Sequence, residues 1–435
     1  MESQIALDPS NQPYPIQAPE TEGINQHVFT GGPPIPGRER YHEHQLILAC
    51  SRTIVDAETV ERIRDLIGQS LDWSYLIRTA SRNGVMPLVC LNLTSICPSL
   101  LPASVLMDCR EFWRDHAQHN LHQTAELLRV LRLLDSHNIR ALPLKGPSLA
   151  AYAYHNLSLR QFCDLDIFVP RRNIRQSVNL LISNGFTLSS SPSWLQRLPT
   201  PASRKKDYGL TSKDGSIRIE LHWRLSGPHF DLPVNLEGLW DRLETVPLAG
   251  YPARSLPLDD LLLYLTMHGS RHGWERLLFV CDIAEILSAY PERVNWPELL
   301  EKASVLGSRR TLLLGLCLAK DLLDATLPAN ILEEIRSDSI VKELASQVSL
   351  CIFRSDETSP DISYWLSYHL KAKERFREKV RLRLHYAIRY SHLAFTPNAK
   401  DHAVLRLPWY LSFAYYLIRV FRLAKKHLAS ERKLS

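Results

Sequence analysis

The 435-residue sequence lacks an apolar run long enough to span a membrane. Its aromatic and apolar stretch from Leu407 to Ile418 holds 12 uncharged residues before Arg419, whereas a spanning helix needs about 20. The N-terminal residues MESQIALDPS have neither a basic start nor an apolar centre, so a secretory signal is not expected. We therefore expect a cytoplasmic protein. Residues 405–428 are aromatic and then basic, which leaves peripheral membrane contact open beside simple packing of a terminal helix.

Cysteine motifs for metal or redox chemistry are also missing. None of the eight cysteines forms a C-x-x-C pair, which excludes a zinc ribbon and a thiol redox pair. Their positions inside apolar stretches indicate reduced, buried thiols, as in a cytosolic protein. His268 and His272 share a helix face, but Gly269 stands where a zinc protease has its glutamate, which rules out that class. Core packing and a place in a cleft stay open for both histidines.

The positive charge is concentrated at one end of the chain. Residues 371–435 contain 16 Lys and Arg against 4 Asp and Glu, although the formal charge of the whole chain is only +6. The remaining residues are therefore net acidic, and the basic tail can meet them, an anionic membrane or nucleic acid. No nucleic-acid-binding motif accompanies the tail, so no specific nucleic-acid partner is predicted.

Composition and periodicity divide the chain into four parts. Residues 1–40 contain seven prolines and are predicted to be a disordered lead-in. Apolar residues recur at spacings of three and four over 41–135, which predicts a helical region. Residues 136–226 are predicted to form an α/β core, followed over 227–435 by a helical region with a basic aromatic tail. The predicted fold class is α+β, a small mixed-sheet core flanked by helical N- and C-terminal regions.

Two aspartates carry the strongest functional signal. Asp164 and Asp166 lie in the segment CDLDIFV, whose apolar residues predict a short buried strand. Because side chains alternate along a strand, residues two apart face the same side, and the two carboxylates should converge. Their repulsion should raise one pKa, and a bound cation would relieve it. Oxygen ligands suit Mg²⁺ or Mn²⁺, so the sequence predicts a metal site for phosphoryl-type chemistry.

A third carboxylate is predicted on a neighbouring strand. After a turn at residues 213–216, the segment SIRIELHWRL alternates apolar and polar residues, which is the period of a strand. This alternation places Glu220 and His222 together on the face opposite the apolar one. A two-metal site needs a third carboxylate, so Glu220 is a candidate ligand, although a solvent-facing position would explain it as well. His222 is interpreted as a polar neighbour rather than a ligand.

These motifs together resemble a known family. LPLKG at 142–146, Arg160, DLD at 164–166 and ELHW at 220–223 form a pattern similar to the bacterial uncharacterised nucleotidyltransferases, within the superfamily typified by DNA polymerase β. Softer similarities lie in three helical segments, namely 71–89, 261–287 and 407–423. The resemblance covers roughly residues 43–425.

The resemblance implies an enzyme that moves a nucleoside monophosphate from a nucleoside triphosphate (NTP), such as ATP, to an acceptor hydroxyl, with release of pyrophosphate. Asp164, Asp166 and Glu220 would be its catalytic residues and would hold two Mg²⁺ or Mn²⁺ ions. Glu220 would bind the metal nearest the acceptor or act as its base. The partners are thus an NTP and an unknown acceptor, since no motif identifies the acceptor.

The resemblance also implies a set of nucleotide-binding residues, Lys145, Gly146, Ser148 and Arg160. The superfamily usually has Gly-Ser at the start of this helix, whereas this chain has KGPS. Gly146 permits close approach of the backbone, and Lys145 and Arg160 would neutralise phosphate charge. A structural ion pair of Arg160 with the first aspartate and a solvated Lys145 are the alternatives.

Two other functions are compatible with the sequence. A catalytically lapsed nucleotide-binding protein would explain the altered KGPS element, although the three intact carboxylates argue against it. A membrane-associated accessory protein of polysaccharide or natural-product assembly would explain the basic aromatic tail. Metal-dependent NTP turnover would favour the enzyme, whereas vesicle binding that depends on the tail would favour the accessory role.

Overall fold

The structure is a computed structural model that describes residues 40–189, 207–225, 236–353, 362–395, 414–416, 419 and 422. The chain divides into two compact units, Met1–Glu374 and Arg375–Ser435, and each is described by itself. The predicted lead-in before residue 40 and most of the 405–428 tail lie outside the described residues.

The described part of the first unit begins with five helices. They are α1 (Tyr41–Ala49), α2 (Ala57–Ile67), α3 (Trp73–Arg82), α4 (Met86–Ile96) and α5 (Ala103–Ser136). Aspartate side chains cap two of the helices, because Asp56 accepts the Thr59 amide at 2.8 Å and Asp72 accepts the Tyr75 amide at 2.9 Å. The second half of α5 packs against the sheet that follows in the chain.

A five-stranded mixed sheet follows these helices. Its segment contains β1 (Leu142–Pro143), α6 (Pro147–Ala153), β2 (Leu165–Phe168), α7 (Ile174–Ser183), β3 (Phe186–Leu188), β4 (Asp207–Ser212) and β5 (Arg218–His222). The strand order is β1-β2-β5-β4-β3, with β2 and β5 parallel and the other neighbours antiparallel. The β4–β5 turn contains Gly215 at φ +77°, a conformation that favours glycine. The register pairs Asp166 directly with Glu220.

The two faces of the sheet differ in character. One face packs against α5 and α7 through apolar residues that alternate along the strands. These strand residues are Leu165, Ile167, Tyr208, Leu210, Ile219 and Leu221. Because side chains alternate, the intervening Asp166, Glu220 and His222 lie on the opposite face. The apolar face thereby fixes the position of the polar residues, since a slip of one residue would bury them in the core.

A β-hairpin follows the sheet, within the region that was predicted to be helical. Its strands are β6 (Glu244–Leu248) and β7 (Tyr251–Ser255), paired antiparallel. The turn residues Ala249 and Gly250 both have positive φ, as in the two-residue turns that suit hairpins. Each strand contains a proline, which obscures the strand pattern in the sequence. The predicted helical region over 227–435 therefore also contains a β-hairpin.

The remaining elements in the described part of the first unit are helices. They are α8 (Leu236–Arg242), before the hairpin, and after it α9 (Leu258–Arg271), α10 (Leu277–Ala289), α11 (Trp296–Leu306), α12 (Arg309–Leu323), α13 (Ala329–Ser337), α14 (Ser339–Ile352) and α15 (Ile362–Ala372). The buried Trp274 ring fits between α9 and α12 because both have a glycine there. A Cβ on Gly269 would stand 2.5 Å from this ring, and one on Gly315 2.9 Å. Close packing of this kind fixes the position of α9, which reaches the site described below.

The second unit contains α16 (Phe376–Phe395). Across the ranges that the structure describes, no helix has both the length and the apolar character needed to cross a membrane. All eight cysteines are free thiols. Helical regions before and after a small mixed sheet in the chain confirm the predicted α+β class.

Candidate active site

Three side chains converge on the polar face of the sheet. Asp166 on β2 and Glu220 and His222 on β5 each offer one ligand atom, and these atoms lie within 4.8 Å of one another. Asp166 and His222 are buried, whereas 36% of the Glu220 side chain is exposed. The group therefore combines a shielded interior with an open side. The alternation in ELHW was the sequence signal for His222, which was predicted to be a polar neighbour rather than a ligand.

Both carboxylate oxygens of Asp166 are engaged. Oδ1 accepts a hydrogen bond from His222 Nε2 at 2.7 Å, and Oδ2 lies 2.8 Å from Lys145 Nζ. Burial alone would raise the pKa of Asp166, but the Lys145 charge and the His222 hydrogen bond outweigh it and hold that pKa well below its usual range. The same pairing raises the pKa of Lys145 against the opposing effect of burial. Lys145 is thus held at the carboxylate cluster, unlike the solvated lysine considered as its alternative.

Asp164 is the remaining carboxylate of the DLD motif. β2 begins at Leu165, so Asp164 precedes the strand and lies outside the group of three converging ligand atoms. The two aspartates still interact electrostatically, because burial and the Asp166 charge raise the pKa of Asp164 to about 6. The expected rise in one carboxyl pKa therefore falls on Asp164.

The donor set of the three-residue group fits a divalent cation. Two carboxylates and an imidazole suit Mn²⁺, whereas Mg²⁺ prefers oxygen ligands alone. His222 Nδ1 lies 3.7 Å from Asp207 Oδ2 on β4, which is too long for a hydrogen bond but places a third carboxylate near the ring. Lys145 is the opposing feature, because its ammonium already neutralises Asp166. The group therefore fits a metal ion that shares Asp166 with this lysine.

Lys145 is positioned by the sharp turn between β1 and α6. The Leu144 amide donates to the Asp166 carbonyl at 3.0 Å, which ties this turn to β2. Gly146 then adopts φ +60° and ψ −130° before the first residue of α6, a backbone conformation that a Cβ would strain. Ser148 is buried within α6. Of the predicted nucleotide-binding residues in this segment, Lys145 alone has a side chain paired with the carboxylate cluster.

Arg160 has a different partner from those considered in the sequence analysis. Its Nε and Nη2 donate to the two oxygens of Asp282 on α10 at 2.7 and 2.8 Å. The Tyr154 hydroxyl donates to the same carboxylate at 2.8 Å. All three residues are almost completely buried. The arrangement favours a structural role for Arg160, which joins the loop before β2 to the helical region.

Helix α9 brings further polar groups to the cluster. Lys145 Nζ lies 3.4 Å from His268 Nε2, and the centre of the His268 ring is 4.7 Å from that of His272. His272 Nδ1 lies 3.9 Å from Glu275 Oε1 in the turn after α9. Burial and the Lys145 charge lower the pKa of His268 well below its usual value, so the ring is neutral beside the ammonium. The sequence marks the two histidines by their spacing but does not connect them with Lys145, 123 positions away from His268.

Glu275 gives a pH prediction for this part of the structure. Burial raises its pKa to about 7, against the opposing charge of Arg276. The folded state therefore binds this proton more tightly than the unfolded state, in which the pKa is about 4.5. The resulting stabilisation is fully present below that unfolded-state pKa and is lost as the pH rises through 7. We expect Glu275→Gln to remove this loss, which amounts to about 3 kcal/mol at pH 8.

Urea unfolding of the wild type and of Glu275→Gln at pH 4 and pH 8 measures the effect. The exposed Glu333 gives a matched control, because Glu333→Gln makes the same chemical change at a site with a 73% exposed side chain. Equal effects of Glu275→Gln at the two pH values would contradict the raised pKa.

The fold and the site together define an α+β protein with a carboxylate–imidazole cluster on one face of a mixed sheet. Residues 69–324, more than half of the chain, match the family model described as Uncharacterised nucleotidyltransferase. The chain therefore belongs to this family. Membership supports a general nucleotidyltransferase activity, and the matched region contains every residue of the cluster. The chain has no significant match among curated proteins or among solved structures.

Proposed function

We propose that this protein is a metal-dependent nucleotidyltransferase that moves a nucleoside monophosphate from an NTP to a hydroxyl of an acceptor and releases pyrophosphate. The observation that carries the proposal is the convergence of Asp166, Glu220 and His222 within 4.8 Å inside the region that matches the family. The likeness of the LKG, Arg, DLD and ELHW motifs to the DNA polymerase β-type superfamily supports the same reaction class. Mg²⁺ or Mn²⁺ is the proposed metal, with the imidazole favouring Mn²⁺.

The positions of the residues suggest a role for each of them in the proposed reaction. Asp166, Glu220 and His222 would hold the metal, which when bound supplies positive charge at the phosphates and at the attacking oxygen. Glu220 is the exposed member of the group and therefore faces the acceptor side in this proposal. Lys145 supplies a further positive charge for the triphosphate. Asp164, as the family resemblance implies, would be a further carboxylate ligand of the metal.

One observation favours a second candidate, a nucleotide-binding protein without catalysis. The Lys145 ammonium lies 2.8 Å from Asp166 Oδ2 and competes with a metal ion for that oxygen. A protein of this kind would bind NTP through its cations, with no requirement for a divalent ion. The two candidates therefore differ in the metal dependence of NTP binding.

Calorimetric titration with each of the four NTPs separates them. We expect the wild-type protein to bind at least one NTP with Mg²⁺ or Mn²⁺ and to lose this binding in EDTA. Glu220→Gln should lose it as well, whereas Glu333→Gln, the same change at an exposed site, should retain it. Metal-independent binding that survives Glu220→Gln would favour the second candidate. Failure of the folded protein to bind any NTP would contradict both.

A further inference from the structure

Helix α16 displays an apolar stripe on its surface. Phe376, Val380 and Leu384 are 76%, 37% and 58% exposed, and Ala387 is exposed as well. Spacings of four, four and three residues keep these side chains within one narrow face, because a helix turns about 100° per residue. Exposure of such an apolar stripe to water is unfavourable, and its burial is favourable.

Cationic residues border the stripe on both sides. By helical position, Arg377 and Arg381 follow one edge of the stripe, and Lys379 and Arg383 follow the other. The three arginines are exposed. Long basic side chains beside an apolar face can extend their charged ends towards an interface while their stems cover apolar surface.

The opposite side of α16 is more buried than the stripe. Leu382, on the side away from the stripe, is only 2% exposed, and Glu378, the one acidic residue between Phe376 and Ala387, is partly buried. The acidic residue is therefore absent from the stripe and its borders. A face that is apolar along its centre and basic along both edges matches an anionic bilayer, whose lipids offer acyl chains below negatively charged headgroups.

We propose that α16 is a membrane-docking helix that lies in the interface of an anionic bilayer, with Phe376, Val380 and Leu384 inserted and the bordering arginines at the headgroups. This inference does not depend on the proposed enzymatic function, and it concerns a different segment from the aromatic tail at 405–428. Docking of this kind concentrates the protein at a membrane surface without a spanning helix. The contact is reversible because one short amphipathic helix buries little apolar area.

Vesicle flotation of the full chain tests the proposal. The vesicles contain phosphatidylcholine alone or an equal mixture of phosphatidylcholine and phosphatidylglycerol. We expect flotation with the mixed vesicles and little with the neutral ones. Val380→Glu/Leu384→Glu should lower the apparent partition coefficient on mixed vesicles by at least about tenfold. Arg377→Gln/Arg381→Gln/Arg383→Gln should lower it to a similar degree, because each basic residue near an anionic surface adds to the attraction.

The matched control is Met107→Glu/Leu350→Glu, which adds the same two charges at apolar residues that are 60% and 79% exposed outside α16. This control should float like the wild type, and circular dichroism should show the same helix content for all variants. Equal losses in the control and in the α16 variant would overturn the proposal, as would no flotation or equal flotation with both vesicle types. A wild-type dimer that Val380→Glu/Leu384→Glu converts to a monomer, without vesicle binding, would assign the stripe to a second copy of the chain and would also overturn it.

Discussion

Replacement of Asp166 by asparagine is expected to abolish metal-dependent NTP binding and to weaken Mn²⁺ binding by at least about a hundredfold. Asp166 is the central member of the candidate site, since its two oxygens contact His222 and Lys145 and its ligand atom lies within 4.8 Å of those of Glu220 and His222. Asparagine keeps the size of the side chain but loses the negative charge that a divalent cation requires. Titration with Mn²⁺, followed by electron paramagnetic resonance of the free ion, measures this loss directly.

The same substitution should also lower stability, and this effect has to be separated from the loss of metal. Lys145 is largely buried, with a 13% exposed side chain, and Asp166→Asn removes its counter-ion. An uncompensated buried charge costs about 3 kcal/mol. The double variant Lys145→Met/Asp166→Asn removes both charges and should recover much of this loss in urea unfolding.

The double variant should regain stability without regaining Mn²⁺ binding. The stable double variant should still fail to bind Mn²⁺, because the ligand is missing in both proteins. If Asp166→Asn bound Mn²⁺ as tightly as the wild type while remaining folded, Asp166 would not be a metal ligand. Lys145→Met alone provides the remaining comparison, since removal of the competing ammonium should strengthen Mn²⁺ binding if the two cations share Asp166.

Breaking the buried Arg160–Asp282 pair is expected to cost about 3 to 5 kcal/mol of unfolding free energy. Asp282→Asn leaves the guanidinium of Arg160 without its charged partner in a position where both side chains are at most 5% exposed. The penalty arises from the buried charge that remains, more than from the contact that is lost. Urea unfolding with Asp282→Asn and with Arg160→Met measures each half of the pair.

The double variant Arg160→Met/Asp282→Asn distinguishes a structural arginine from a nucleotide-binding one. It removes both charges and should be less destabilised than Asp282→Asn alone. If the pair is structural, the folded double variant should bind NTP like the wild type. If Arg160 contacts phosphate, as the sequence resemblance implies, NTP binding should be lost even though stability is restored. The exposed pair Arg336–Glu333 is the control, because Glu333→Gln should change stability by less than about 1 kcal/mol.

The pattern of alternating residues was enough to predict the strand that carries Glu220 and His222 and the face on which they lie. In ELHW, Glu220 and His222 alternate with residues of the core, and the structure places both on the face opposite the apolar cluster. Asp166 follows the same rule on β2. This succeeds because alternation is a local property of extended backbone and needs no knowledge of other elements. Asp164 lies one residue before the first residue of β2, so its part in the group stays a prediction.

The roles of individual side chains were harder to predict, since they depend on partners far away in the chain. The choice between metal ligand and bystander for His222 turns on its 2.7 Å contact with Asp166, 56 positions away. The hairpin of β6 and β7 was missed because its prolines suppress the strand signal, while pairing between the two strands stabilises it in the folded protein.

The sequence by itself determined the α+β class, the face of the sheet that carries Asp166, Glu220 and His222, and the family resemblance, because each follows from local periodicity or a short motif. Only the tertiary structure decided which charges meet. Arg160 pairs with Asp282 across 122 positions, and Lys145 meets Asp166 on one side and His268 on the other. The physical reason is that burial makes an unpaired charge costly, so each buried ionic group takes the partner that folding brings within reach, and no local pattern specifies that partner.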